Sequence, residues 1–458
     1  MSTTSNATTH GKRPKVLIVG AGLGGLALGA ILEKSDTPYE IFERAPQIKP
    51  LGSITSLTGA VAPLLKQLGI WEEFCSISRV MTTMQVRTAP TLETEFLVAD
   101  VADPVKRYGA KARSLPRPVL YDFMLRQVPK EKVHFGKKVA STEQNHTGVR
   151  IKCVDGTEYT GDILVGADGA YSAVRHNLYA QLKKENKLPH GDSLPLPFLN
   201  VALLGQTRKL TLDEFPDLAK DECQFQNILS TDKPYSGSVC WAIYEYLSGE
   251  STQEDESFKN AEWGPKAAQE MCDKVRDFPV VSGGNKILTI GDLIDLTPKG
   301  FISKVMLEEK IFQTWHSGRT VIIGDAIHKL NPSGGSGAIN ALHDAIVLSN
   351  YIHALPDHPT LEQIEKSFIT YKSERIEHVE LAESASKAFR SMVDKGWTST
   401  IVRFFMRNMP SWISGLVERR ILSNRPQVYF LPRDTTPSEM PPAYQPSLQL
   451  RRPVAKAV

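Results

Sequence analysis

The chain has 458 residues, 41% hydrophobic and 23% charged, an ordinary globular composition, and its length suits two or three structural units with cores that bury a sizeable ligand. Its 54 basic and 51 acidic residues leave a net charge of +3 without a like-charge block, which argues against nucleic acid as a partner. The five cysteines (Cys75, Cys153, Cys223, Cys240 and Cys272) lack CxxC spacing, which argues against a disulfide framework or a zinc site and suits buried apolar residues in a reducing compartment.

Residues 1–13 are polar and read as a disordered leader without the apolar run of a signal peptide. No stretch approaches the ~20 apolar residues of a membrane span, so the expected location is cytoplasmic. Next comes "KVLIVGAGLGGLALGAILEKSDTPYEIFER", in which Val16 to Val19 has the continuous apolar character of a buried parallel strand. Gly20, Gly22 and Gly25 follow as GxGxxG, then a helix over Leu23 to Lys34 and a second strand over Tyr39 to Glu43. In such a unit the first glycine makes the turn, the second lets a pyrophosphate approach the backbone, and the third lets helix pack on strand. Free amides at the helix start hold the phosphates. Glu43 lies eighteen positions past Gly25, where a carboxylate accepts hydrogen bonds from a ribose diol; Arg44 beside it is either a contact or a solvated strand end. The unit reads as a dinucleotide site for NAD or FAD, with the acid favouring a free 2′-hydroxyl.

Further on, "VRIKCVDGTEYTGD" places Asp155-Gly156 between alternating runs, a hairpin signal. It leads into "GDILVGADGAYSAVRHNL", where Ile163 to Ala167 reads as a buried strand with Asp168-Gly169 at its end, Ser172 as a helix N-cap and Arg175 inside the helix. Asp168 suits either helix capping or a cofactor contact. The middle segment, Leu194 to Ser303, reads as the sheet of a second domain; in it Phe225, Trp241 and Tyr244, with Tyr108 from upstream, are either core or the lining of an aromatic or terpenoid pocket.

A third anchor is "IIGDAIHKLNPSGGSGAINALHDAIVLSNYI". Val321 to Ile323 reads as a strand and Gly324-Asp325 as its end, and a helix begins near Gly337 after a turn of glycines and one proline. That helix start would stabilise a ring carbonyl or an anionic ring nitrogen, an environment that suits a flavin. His328 is either a proton relay or a satisfied structural group. A helix over Thr360 to Met392 precedes "GWTSTIVRFFMRNMPSWISGLVERRILSNRPQVYFLP", whose apolar stripe alternates with arginines and either lies on a membrane surface or packs on the body. Residues beyond Pro432 are rich in Pro and Ser and read as a flexible tail.

Together "GAGLGG…ER", "LVGADGAYSAVR" and "GDAIHKLNPSGGSGAINALHDA" resemble the fingerprints of single-component FAD-dependent aromatic hydroxylases of the p-hydroxybenzoate hydroxylase type, nearest to fungal FAD monooxygenases of secondary metabolism. The resemblance covers roughly residues 14 to 380. It implies an α/β fold: a Rossmann-like FAD-binding domain (14–85, 110–190 and 304–352), an inserted mixed or antiparallel β-sheet substrate domain (86–109 and 191–303), C-terminal helices (353–432) and a tail (433–458). It further implies that Gly20, Gly22, Gly25 and Glu43 hold the ADP half of FAD, that Arg117 contacts the phosphates or ribityl chain, and that Asp168 serves FAD and nicotinamide binding. Gly324 and Asp325 would meet the ribityl chain, with Pro332, Gly335, Gly337 and Ala338 along the isoalloxazine. Ser336 and Ile339 depart from the Gln and Asn often found in this family.

The activity so implied is NAD(P)H- and O2-dependent hydroxylation or epoxidation of a small hydrophobic molecule through a flavin C4a-hydroperoxide. A reductase or halogenase of the same fold and a non-catalytic redox sensor are the alternatives; "CWAIYEY" is not the halogenase signature WxWxIP.

Overall fold

The structure, a computed structural model, describes residues 13–47, 54–87, 94–99, 104–211, 222–225, 229–232, 236–251, 265–283, 286–331, 335–393, 416 and 419–452. Strand β1 (Val16–Val19) is the middle of a parallel sheet. Its Val16 and Ile18 face one apolar cluster and Leu17 and Val19 another, which is why the run is apolar without alternation. Helix α1 (Leu23–Glu33) follows, buried along nearly its whole length, and ends one residue before the expected Lys34. Strand β2 (Tyr39–Glu43) pairs with β1 from Val16↔Tyr39 onward, and β3 (Val133–Phe135) extends the sheet beyond it.

On the other side of β1 lies β4 (Ile163–Gly166), which stops short of Ala167, and then β5 (Thr320–Ile322), one residue upstream of the expected strand. Ala167 N donates to Val19 O at 2.7 Å and Ile323 N to Gly166 O at 2.9 Å, so the strand ends are tied side by side at one edge of the sheet. Helix α2 (Ala173–Lys184) begins at an N-cap, Ser172, whose hydroxyl accepts from Arg175 N. The Asp155-Gly156 hairpin forms between Val149–Cys153 and Glu158–Gly161 and covers the second face of the sheet. Helix α3 (Gly337–Ala354) packs beside α1, and the long helix α4 (Leu361–Val393) packs on α3.

The inserted domain centres on an antiparallel sheet with Phe198–Gln206 between Cys240–Ser251 and Ser303–Glu308. A second sheet crosses the expected domain boundary, because Ile54–Leu57 and Arg113–Pro116 join Arg79–Arg87, Thr94–Ala99 and Glu222–Phe225. The expected break between residues 85 and 86 therefore falls inside a paired strand.

Near both chain ends the described residues differ from expectation. Arg13, placed in the leader, is buried and donates to Thr37 Oγ1 at 3.2 Å. Residues 433–452, expected as a flexible tail, dock through hydrogen bonds rather than apolar periodicity. Lys66 Nζ donates to Asp434 Oδ2 at 3.2 Å and to Thr436 Oγ1 at 2.6 Å, Gln427 and Gln445 clasp each other, and fully buried Ser447 donates to Glu374. The apolar stripe from Ile401 to Ile413 lies outside the described residues. Among the described residues no helix is long and apolar enough to cross a membrane.

Four histidines are folded into this frame in neutral form. Burial holds His316, His353 and His378 down to about 4 and His343 to about 3. A histidine with a folded pKa below its unfolded value binds fewer protons in the native state, so its stabilisation is complete above the unfolded value and is lost as pH falls toward the folded one. Burial raises Asp168 and Glu374 and gives them the opposite sign, but only near the carboxylate range. Thermal stability is expected to fall from pH 7 to pH 5. Unfolding at pH 5 should take up about one proton per histidine, each steepening the slope by ~1.4 kcal/mol per pH unit. Calorimetric melts across that range read it directly, and a flat profile would contradict neutral burial.

Candidate cofactor and active site

The tied strand ends open on a trough. Two clefts of about 290 and 250 Å³ share Gly22, Ala167 and Gly169, one running toward Asp325 and Gly337 and the other toward Glu43 and Arg44. Two helices point their N-termini at the trough without side-chain caps. Gly22 caps α1 and Ser336 caps α3, neither makes a capping bond, and neither first turn carries an acid. Unsatisfied amides at both starts suit phosphate and an electron-rich ring edge.

The glycines divide into two kinds. Gly20 has φ +106°, and a Cβ on it would sit 2.4 Å from Ala167 O; one on Gly25 would sit 2.1 Å from Gly20 O. Folding alone requires these. Gly22 and Gly337 have no positive φ, and a Cβ on either would meet nothing nearer than 3.7 Å, yet both line the trough. The protein itself gives no reason for glycine there; a ligand lying on the backbone does. Gly324 has φ +61° and abuts Ala341, and Gly335 has φ +60° with open space beyond. These features fit a dinucleotide such as FAD.

Polar residues are set along the same path. The Glu43 carboxylate is fixed by Ala21 N at 2.9 Å and Ala45 N at 2.8 Å, which leaves lone pairs for a diol. Arg44 lines that end beside Lys137 and Lys138. Arg117 lines the other cleft with its Nη2 3.3 Å from the Tyr121 hydroxyl. Burial pushes the Asp325 carboxyl up, but Lys329, 2.7 Å away, and Arg117 hold it below the ordinary carboxylate range. Asp168 accepts from Ser172 Oγ at 2.5 Å, Ala173 N at 2.6 Å and Val174 N at 3.2 Å, so it caps α2 while still lining the adenosine end. Ala338 lines the cleft; Pro332 lies outside the described residues.

Other expected positions fall elsewhere. His328 is fully buried, with Nε2 2.5 Å from Asp344 Oδ2. That carboxylate also accepts from Gly324 N at 2.9 Å and from Arg375 Nε at 2.8 Å, and Arg375 donates on to Asn340 Oδ1. His328 thus belongs to an ion network beneath the site, not to its surface. Trp241 is core: it is fully buried, bonds Thr297 Oγ1 at 3.0 Å, and presses on Gly205, where a Cβ would come within 2.2 Å of its ring. Tyr108 is buried under the C-terminal segment, its carbonyl accepting from Arg425. The side chains of Phe225 and Tyr244 lie outside the described residues.

Sequence reasoning missed Tyr121, Lys329 and Lys137. The first two sit four positions after Arg117 and Asp325 and carry a helical-spacing signal; Lys137 sits in a turn and carries none.

A family model described as FAD binding domain matches residues 13–386. The FAD-dependent monooxygenase verC1 of Penicillium polonicum is 28% identical over 88% of this chain and 50% of its own length, so the chain spans about half of that relative. The FAD-dependent monooxygenase andE of Emericella variicolor is 26% identical over 81% of this chain and 78% of its own length. Among solved structures, HpxO of Klebsiella pneumoniae complexed with FAD and uric acid superposes with a TM-score of 0.67 at 19% identity, covering 90% of this chain and 96% of that one, a likeness of fold.

Two substitutions separate the kinds of glycine. Gly25→Ala should cost the FAD-free protein about 1–3 kcal/mol through overpacking. Gly337→Ala should leave that protein as stable or more so by ~0.5–1 kcal/mol, yet weaken FAD about tenfold or more. Urea unfolding of stripped protein and FAD titration by flavin fluorescence measure both; unchanged FAD affinity in Gly337→Ala would remove the ligand-facing role. Separately, Arg375→Met should cost about 3–5 kcal/mol in the same urea experiment, because it strands Asp344 in the interior.

Proposed function

The chain belongs to the FAD binding domain family, and from that premise we propose that it is an FAD-dependent monooxygenase using NADPH or NADH and O2 on a hydrophobic aromatic or terpenoid-like small molecule. The observation that carries the reading is the trough whose two uncapped helix starts and unexplained glycines, Gly22 and Gly337, leave backbone bare along its length. The monooxygenase names of the similar fungal proteins support the reaction class.

When bound, FAD would supply the redox chemistry, the use of NAD(P)H electrons to place one atom of O2 in the substrate and release the other as water. The residues of the chain bind and orient. Glu43 would hold the ribose diol, the start of α1 the pyrophosphate, and Asp325 with Arg117 the polar chain between phosphate and ring. The start of α3 would meet the ring, where its amides favour negative charge. Lys329, held to Asp325, keeps that carboxylate ionised as an acceptor. His328 moves no proton in this scheme, since its Nε2 is committed to Asp344. Ile54, Thr55 and Ser56, from the second sheet, wall the same cleft.

The purified protein is expected to be yellow. Under anaerobic conditions NADPH or NADH should bleach the flavin, and oxygenated buffer should restore it with release of peroxide when no substrate is present. A colourless protein, or a flavin that neither nicotinamide reduces, would overturn the reading. Comparing the two reductants decides which one the enzyme uses.

A further inference from the structure

The two glycines that the protein itself does not explain each face a polar side-chain atom. A Cβ on Gly22, at the start of α1, would lie 3.7 Å from the Ala167 carbonyl and 4.0 Å from the Tyr121 hydroxyl, and one on Gly337, at the start of α3, would lie 3.8 Å from Asp325 Oδ1. The space left by the missing side chains is thus met by a phenol at one helix start and by a carboxylate at the other. Asp325 is an acceptor, its second oxygen held by Lys329 Nζ at 2.7 Å. Tyr121 is a donor: its oxygen accepts from Arg117 Nη2 at 3.3 Å, and among the described residues nothing accepts its own proton.

Local sequence fixes where that phenol stands. The helix Arg117–Leu125 follows Pro116 and buries Leu120, Phe123 and Met124 in the apolar cluster that also holds α1. Arg117 and Tyr121 lie four residues apart, one above the other on a helix. Both line the cleft, Arg117 exposed and Tyr121 half-buried, so neither is sealed from a ligand in the trough. The guanidinium carbon stands 5.5 Å from the centre of the phenol ring, and cation and ring brace each other there.

We propose that Tyr121 is a further FAD-binding residue, whose O–H donates to a phosphate oxygen of the dinucleotide seated on the start of α1. Free amides, the positive end of the helix, the guanidinium of Arg117 and the phenol proton all favour an anionic acceptor at that place. At the start of α3 the ionised Asp325 repels phosphate and accepts from a ligand hydroxyl instead. A donor at one helix start and an acceptor at the other set the direction of the ligand: phosphates toward Gly22, hydroxylated chain and ring toward Gly337. The assignment rests on FAD as the ligand of the trough and not on the reaction it serves.

Fluorescence titration of stripped protein with FAD tests it. Tyr121→Phe keeps the ring beneath Arg117 and removes only the hydroxyl. It should weaken FAD about tenfold, the loss of one hydrogen bond to a charged group, while urea unfolding of the stripped protein stays as in the wild type. In an Arg117→Met background the same substitution should again cost about tenfold. A phenol that served only to position Arg117 would show no second loss, and the proposal would fall. Phosphorus NMR of the FAD-loaded protein needs no second variant: Tyr121→Phe should shift a pyrophosphate resonance and leave the flavin absorption unchanged. Phosphorus resonances that stay in place, or a Tyr121→Phe protein that binds FAD as tightly as the wild type, would overturn this assignment alone. A wild type that takes up no FAD would overturn the FAD reading together with it.

Discussion

The site depends on a close approach of backbone that only small residues permit. A Cβ on Gly24 of α1 would lie 3.4 Å from Ala341 O of α3, and one on Gly324 would lie 3.2 Å from Ala341 Cβ. Three segments far apart in sequence therefore meet around one alanine. Because α1 and α3 lie this close, their N-termini open on the same trough, and their unpaired amides act on one ligand rather than two. Bulkier residues at this crossing would separate the helix starts, and the strand ends tied through Ala167 and Ile323 would still form an edge but no trough.

Beneath that crossing the chain keeps a buried ion network. Asp344, His328 and Arg375 are each at most 1% exposed, and Asp344 bonds the amide of Gly324 as well as both side chains. Such burial is a poor source of net stability, since desolvation offsets most of the attraction. Its structural effect is specific. Through Asp344, α4 holds the Gly324–Asp325 turn; through Asn340, whose Nδ2 donates to Ser336 O, the same Arg375 holds the start of α3. Both walls of the trough beside the flavin position are thus referred to one guanidinium. An apolar replacement could fill the space but would leave neither turn with a partner.

Much of this was legible in the sequence, for a definite reason. A parallel sheet covered on both faces needs continuous apolar runs, and the turns at its strand ends need glycine, so Val16–Val19, Ile163–Gly166 and the helix starting at Gly337 stand out. Residues 433–452 did not, because they dock by hydrogen bonds involving Lys66, Gln427 and Gln445, which leave no periodic signature. Proline and serine there read as disorder although Ser447 is fully buried. Trp241 shows a different limit: an aromatic residue on a strand has the same sequence appearance whether it faces a ligand or, as here, a glycine of the next strand.

Glycine and serine pose the same problem in finer form. Gly25 and Gly337 are alike in sequence, yet one is demanded by an atom 2.1 Å away and the other by nothing in the protein. Ser336, read as a departure from a family pattern, is an N-cap that does not cap. Gly337 and Ser336 are residues whose choice the polypeptide alone leaves unexplained, and they stand side by side at the start of α3, with Gly337 on the cofactor trough. Bare backbone at Gly337 beside an N-cap that does not cap leaves the first amides of α3 free for a ligand lying in the trough.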